Sequence, residues 1–95
     1  MEKIQILVVG KHPEIMQTIL RLVNNKPEWS GTIAFTATEA MAYSSTITFD
    51  IVLLCAGLDA LEAQQITAHF RVPVVQHYGG GSGLLYAEVY QALGA

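Results

Sequence analysis

Cysteine, charge and long apolar runs are all scarce in this chain. A single cysteine, Cys55, excludes an internal disulfide and suits a reducing compartment, so a cytoplasmic location is expected. Charged residues make up only 14%, and eight acidic side chains outnumber five basic ones, which excludes the basic footprint of a nucleic-acid binder. No apolar run approaches the ~20 residues of a membrane span, and Met1-Glu2-Lys3 leads straight into a strand pattern without a signal peptide. Repeats and low-complexity tracts are missing apart from one glycine run, Gly79-Gly80-Gly81-Ser82-Gly83. Hydrophobic residues are plentiful: 52% of 95 residues, enough for one core and a single domain over residues 1–95.

The strongest pattern is Phe49-Asp50-Ile51-Val52-Leu53-Leu54-Cys55-Ala56-Gly57-Leu58. Consecutive aliphatics without alternation imply a strand covered on both faces, as at the centre of a parallel α/β sheet. Cys55 then falls at the carboxyl end of that strand, where such sheets place their ligand crevice. Ile4 to Val9 reads as another buried strand stopped by Gly10. Pro13 opens a helix, a position where its missing N–H costs nothing, with Ile15, Ile19, Leu22 and Val23 as an inward stripe widened by Met16 and Leu20.

Trp29-Ser30-Gly31 reads as a connection, followed by an alternating edge strand from Thr32 to Thr36. Thr36 and Glu39 fit a capping box for a short helix through about Ser44. Asp59 is a candidate N-cap for a helix reaching Phe70, with Leu58, Leu61, Ile66 and Phe70 inward. Val72 to Gln76 is the fourth strand, and Leu84 to Leu93 a last helix, beginning near Ser82 and closed by Gly94. This β-α alternation predicts a three-layer sandwich with right-handed crossovers.

The stretch from Ile6 to Ile15, the run from Phe49 to Cys55, and Val72-Pro73-Val74-Val75 together resemble the receiver domain of two-component response regulators. The resemblance spans the whole chain. It implies a flavodoxin-like, four-stranded parallel sheet of order 2-1-3-4, lacking the family's last βα unit, with the closing helix read as the family's fourth. The chemistry departs from the family's. The resemblance places the metal-binding acidic pair at Gly10 and Lys11, and the phosphoacceptor at Cys55. The hydroxyl residue after the fourth strand falls on Tyr78, or on His77. None of Gly10, Lys11 or Cys55 offers the hard oxygen ligands Mg²⁺ needs. The resemblance thus implies a non-catalytic pseudo-receiver that is not phosphorylated: no enzyme, no metal and no cofactor, acting as an interaction module with an unknown signalling protein.

A rival class uses the same crevice. Lys11 and His12 beside Cys55 would depress its thiol pKa and make a thiol-dependent enzyme. His12, His77, Tyr78, Gly80, Gly81 and Ser82 would instead suit an anion or small molecule at the start of the last helix. The bland alternatives are a buried apolar cysteine and a plain loop. A homodimer is the expected assembly, because the missing fifth strand leaves an edge and part of the last helix open. Candidate interface residues are Val74, Val75, Leu85, Tyr86, Val89, Tyr90 and Leu93.

Overall fold

The computed structural model describes residues 3–77 and 82–94. Its elements run β1 (Ile4–Val9), α1 (Pro13–Asn24), β2 (Trp29–Ala34), α2 (Ala37–Tyr43), β3 (Ile51–Leu54), α3 (Ala60–His69), β4 (Val74–Gln76) and α4 (Ser82–Ala92). The four strands form one parallel sheet of order β2-β1-β3-β4. Ile6 to Val9 and Ile51 to Leu54 are all buried, because β1 and β3 lie inside the sheet and are covered on both faces.

Local chemistry starts and stops the helices. Pro13 opens α1, with His12 extended at the N-cap and making no side-chain cap. Thr36 Oγ1 accepts from the Glu39 N–H at 3.0 Å, and the Glu39 carboxylate accepts from the Phe35 N–H at 2.8 Å. The box therefore closes one residue upstream of the N-cap. Asp59 caps α3 by accepting from the Glu62 N–H at 2.8 Å. Gly94 follows α4 at φ 76°, a left-handed position open to glycine.

Alternate strand residues divide the core by sheet face. Ile6, Val8, Ile51, Leu53 and Cys55 pack with α1, Trp29, and Leu85 and Val89 of α4. Leu7, Val9, Val52 and Leu54 pack with Ala37 and Ala40 of α2 and Ile66 of α3. By the right-handed crossover rule, a helix leading from β4 to a strand beyond it would share the face of α2 and α3. Helix α4 instead lies beside α1. This corrects the reading of α4 as a helix left open by a missing neighbour: Leu85 and Val89 are fully buried, and Tyr86, Tyr90 and Leu93 pack against the same core. Of the expected interface residues, Leu85 and Val89 are thus interior.

Three sequence readings shift. Trp29 is not in a connection but opens β2, in register with Ile4, and its ring is buried under α4. Gly31 lies tight against α1 there, since a Cβ would lie 2.8 Å from Leu20 Cδ1 and 3.0 Å from Cγ1 of the fully buried Val23. Ile15 (45% exposed) and Leu61 (62% exposed) face outward. Met16, Ile19 and Val23 already fill the core side of α1, and Ile66 alone is fully buried in α3.

Candidate functional site

Gly10 follows β1, Cys55 follows β3 and His77 follows β4, so three residues singled out by sequence meet at the carboxyl edge of the sheet. Backbone bonds hold the edge together: Cys55 N–H to Val9 O at 2.7 Å, Lys11 N–H to Ala56 O at 3.1 Å, and His77 N–H to Leu54 O at 2.8 Å. The room at this edge is occupied by protein. A Cβ on Gly10 would lie 2.6 Å from Met16 Sδ, 3.0 Å from Cys55 Cβ and 3.3 Å from Ala56 O. The thioether of α1 therefore stands where a side chain at position 10 would begin. Gly57, at φ 95°, lets Lys11 close in, its own absent Cβ falling 2.7 Å from Lys11 Cβ.

Lys11 does not turn to the thiol. Its ammonium pairs with Glu62 Oε2 at 2.9 Å, and the same oxygen accepts from the Ala37 N–H at 3.2 Å. Glu62, which sequence reasoning did not single out, thus ties the loop after β1 to the starts of α2 and α3. Its position three residues after the Asp59 cap marks it only as a first-turn acid. His12 is exposed at the helix start, on the Gly57 side.

Cys55 is 7% exposed. Burial pushes its thiol up from 9.0 to about 12, and the negative charge of Glu88 adds to the rise. That speaks against the rival in which Lys11 and His12 depress it and for the buried apolar cysteine: at neutral pH the residue is a protonated, apolar plug. His77 is buried too, and its Nδ1 lies 2.5 Å from Glu88 Oε1. Glu88 comes from α4, eleven residues on, and pins that helix to the end of β4. An open cleft of about 240 Å³ lies over the joined β3 and β4 ends, with Cys55, Gly57, Leu58, Gln76 and His77 among its walls; Lys11 and His12 lie outside it. The candidates Tyr78, Gly80 and Gly81, and the side chain of Ser82, lie outside the described residues.

The donor set does not fit Mg²⁺. Glycine, a lysine already paired to Glu62 and a protonated thiol supply no hard oxygen, and Met16 fills the space a carboxylate at position 10 would need. Among the described residues, no three His, Cys, Asp or Glu side chains gather to hold a metal, and no helix is long and apolar enough to cross a membrane.

No protein-family model matches the chain, and no curated protein sequence matches it. Solved structures do. A two-component response regulator from Clostridium difficile superposes with a TM-score of 0.80 at 15% identity, covering 96% of each chain. The N-terminal domain of a response regulator/sensory box/GGDEF protein from Carboxydothermus hydrogenoformans gives 0.75 at 21%, over 94% of this chain and 93% of that one. The receiver domain of the putative response regulator NarL from Mycobacterium tuberculosis gives 0.65 at 22%, over 99% of this chain and 78% of that one. With its parallel order β2-β1-β3-β4 and helices on both faces, the chain has the flavodoxin-like fold of a response-regulator receiver domain.

Proposed function

We propose that this chain is a pseudo-receiver: a non-catalytic protein-interaction module of a signalling system that works without phosphorylation. The observation that carries the reading is the packing at Gly10. With Met16 Sδ 2.6 Å and Cys55 Cβ 3.0 Å from a Cβ built there, the position that resembles a receiver's acid has been absorbed into the core. A protonated Cys55 at the phosphoacceptor-like position, and a carboxylate, Glu88, beside it, oppose both metal-assisted phosphoryl transfer and the binding of a free anion. The same elevated thiol argues against the thiol-dependent enzyme.

Self-association through β4 supplies the interaction. Pro73 O and His77 N–H both bond to β3, so the intervening alternation turns the backbone polar groups of Val74 and Gln76 outward. At the opposite edge two N–H groups, of Gly31 in β2 and of Phe35 just past it, are taken up by side chains: Asn24 Oδ1 accepts from Gly31 and Glu39 from Phe35. Among the described residues no side chain does this for Val74 or Gln76. A groove of about 370 Å³ runs beside β4, walled by Leu54, Ala63, Gln64, Thr67, Ala68, Val74 and Gln76, none of them charged. A neutral strip suits a second copy, because each chain carries a net charge of −3 that would repel elsewhere.

Intact mass after treatment with acetyl phosphate and Mg²⁺ tests the first part. An unchanged mass is expected; a phosphorylated species sinks the pseudo-receiver reading.

A further inference from the structure

Three aromatic rings converge on one ammonium group outside the site described above. Lys26 Nζ lies 4.6 Å from the ring centroid of Tyr86, 5.5 Å from Tyr90 and 6.0 Å from Trp29. The rings are inclined and not stacked: Trp29 meets Tyr86 at 68° and Tyr90 at 55°, with centroids 5.5 and 5.3 Å apart. The ammonium lies over all three rings, where each offers the negative side of its quadrupole. Trp29 is 1% exposed and forms the floor, while Tyr86, Tyr90 and Lys26 are part-exposed and form the rim.

The arrangement is built, not fortuitous in any one side chain. Tyr86 and Tyr90 share a face of α4 at the i, i+4 spacing, and Tyr86 is fixed by donating its hydroxyl to Leu22 O at 2.9 Å. Glu28 Oε1 stands 3.5 Å from the Tyr90 hydroxyl and puts an acid beside the rings. Lys26 reaches over from the turn between α1 and β2, whose fold is held by Lys26 N–H to Val23 O and Trp29 N–H to Lys26 O.

A primary ammonium is a compact, strongly hydrated charge that gives up water reluctantly. A quaternary ammonium carries the same charge with weaker hydration, and groups of rings like these are the recurrent way of recognising it. Lys26 holds the position through its tether, as a resident stand-in. Glu28 favours a plain cation over a zwitterion whose carboxylate it would repel. We infer that Trp29, Tyr86 and Tyr90 form a binding site for a quaternary ammonium group of the choline type, covered by Lys26 of the same chain. This site is independent of the pseudo-receiver reading and stands or falls without it.

Trp29 is the sole tryptophan, so its fluorescence and its indole N–H resonance report on the site directly. Choline chloride, titrated against sodium chloride at matched ionic strength, is expected to give a saturable change in the wild-type chain. Lys26→Ala should tighten it by about ten-fold, because a tethered competitor at roughly millimolar local concentration is removed. Glycine betaine should bind more weakly than choline, and Glu28→Gln should narrow that gap. Tyr86→Leu should abolish the response while far-UV circular dichroism stays native. Co-sedimentation with phosphatidylcholine vesicles, competed by free choline, would assign the group to a lipid headgroup; choline binding without it would assign a free solute. A folded Lys26→Ala chain, or Lys26→Gln if the alanine variant does not fold, that shows no saturable response to choline overturns the site. So does an equal response to sodium chloride.

Discussion

The Tyr86 hydroxyl donates to the Leu22 carbonyl at 2.9 Å across 64 residues of sequence, and it joins α4 to α1 on one face of the sheet. Beneath that bond the Trp29 and Tyr86 rings meet edge to face. At the other end of the helix's contacts, Glu88 holds His77. Helix α4 is therefore docked at two points, and its apolar residues Leu85 and Val89 close the core between them.

Removing the first point should be mild, and removing its floor severe. Tyr86→Phe takes away one part-buried hydrogen bond and should cost about 1 kcal/mol. Trp29→Ala leaves a large cavity under α4 and should cost about 3–5 kcal/mol. Urea denaturation of both variants checks the order. Equal costs would mean that α4 is not held through this joint.

Much of the sheet was legible in the sequence, because β1 and β3 are unbroken aliphatic runs and no other element explains such runs in a chain this short. The start of β2 was not. Pro27 and Glu28 punctuate the chain just before Trp29, and an aromatic flanked by Ser30 and Gly31 carries no alternation to count. The side on which α4 packs was hidden for a different reason. Leu84, Leu85, Tyr86, Ala87, Val89 and Tyr90 are apolar nearly all round, so periodicity selects no face. Crossover handedness, which fixes α1, α2 and α3, says nothing for a helix with no described strand after it. At the site, the resemblance singled out Gly10, Lys11 and Cys55, and the structure brings the three to one edge of the sheet. Two features were out of reach of spacing: Met16, which fills the space beside Gly10, and Glu88, which meets His77 across residues 78–81.

An acid placed at position 10 should disrupt the packing at the sheet edge. Gly10→Asp must displace Met16 Sδ from 2.6 Å, near the end of a flexible but fully buried side chain, and Cys55 Cβ from 3.0 Å, which the backbone holds. Overpacking with a buried charge beside it should cost about 3 kcal/mol or more. Thermal melting of Gly10→Asp, alone and with Met16→Ala to open space, checks this. A Gly10→Asp chain as stable as the wild type would remove the packing argument.

Cys55 should be inert and should make stability fall in alkali. Its folded pKa is raised above the unfolded 9.0 to about 12, so the folded state keeps a proton that the unfolded chain releases. The stabilisation is complete below about pH 9 and is lost as pH climbs toward about 12. Denaturation midpoints measured from pH 8 upward should decline, and the decline should be smaller in Cys55→Ala. Thiol labelling of the native chain at neutral pH should proceed only as fast as the protein opens; rapid stoichiometric labelling would contradict the buried, protonated state.

The Glu62 carboxylate serves both the Lys11 ammonium and the Ala37 N–H through one oxygen. Glu62→Gln keeps the shape and an acceptor but loses the charge. It should cost about 0.5–1 kcal/mol, the range of a part-exposed ion pair. Glu62→Ala should cost more, because the first N–H of α2 then loses its partner. Added salt should narrow the gap between wild type and Glu62→Gln. An unchanged gap at high salt would mean the pair contributes nothing electrostatic.

The β4 edge makes the sharpest test of assembly. Gln76 is exposed at the end of β4, and its N–H faces away from β3, so Gln76→Pro removes an outward donor without breaking a bond to the sheet. Gln76→Lys keeps the donor but places a charge on each copy at the shared edge. Both variants should leave the melting behaviour of a dilute sample nearly unchanged and shift sedimentation at high micromolar concentration from dimer to monomer. A charge at Tyr90 is a poor control, since that ring packs on Trp29 and its loss disturbs α4. The helix beside the edge offers a better one: Ala68→Glu sets an acid in the neutral groove between α3 and β4. If self-association uses this strip, Ala68→Glu should weaken it as Gln76→Lys does, and the double variant Gln76→Lys/Ala68→Glu should recover part of it by pairing opposite charges across the two-fold axis. A wild-type chain that sediments as a monomer at that concentration, or a dimer that survives both Gln76→Pro and Ala68→Glu, rules out the β4 edge.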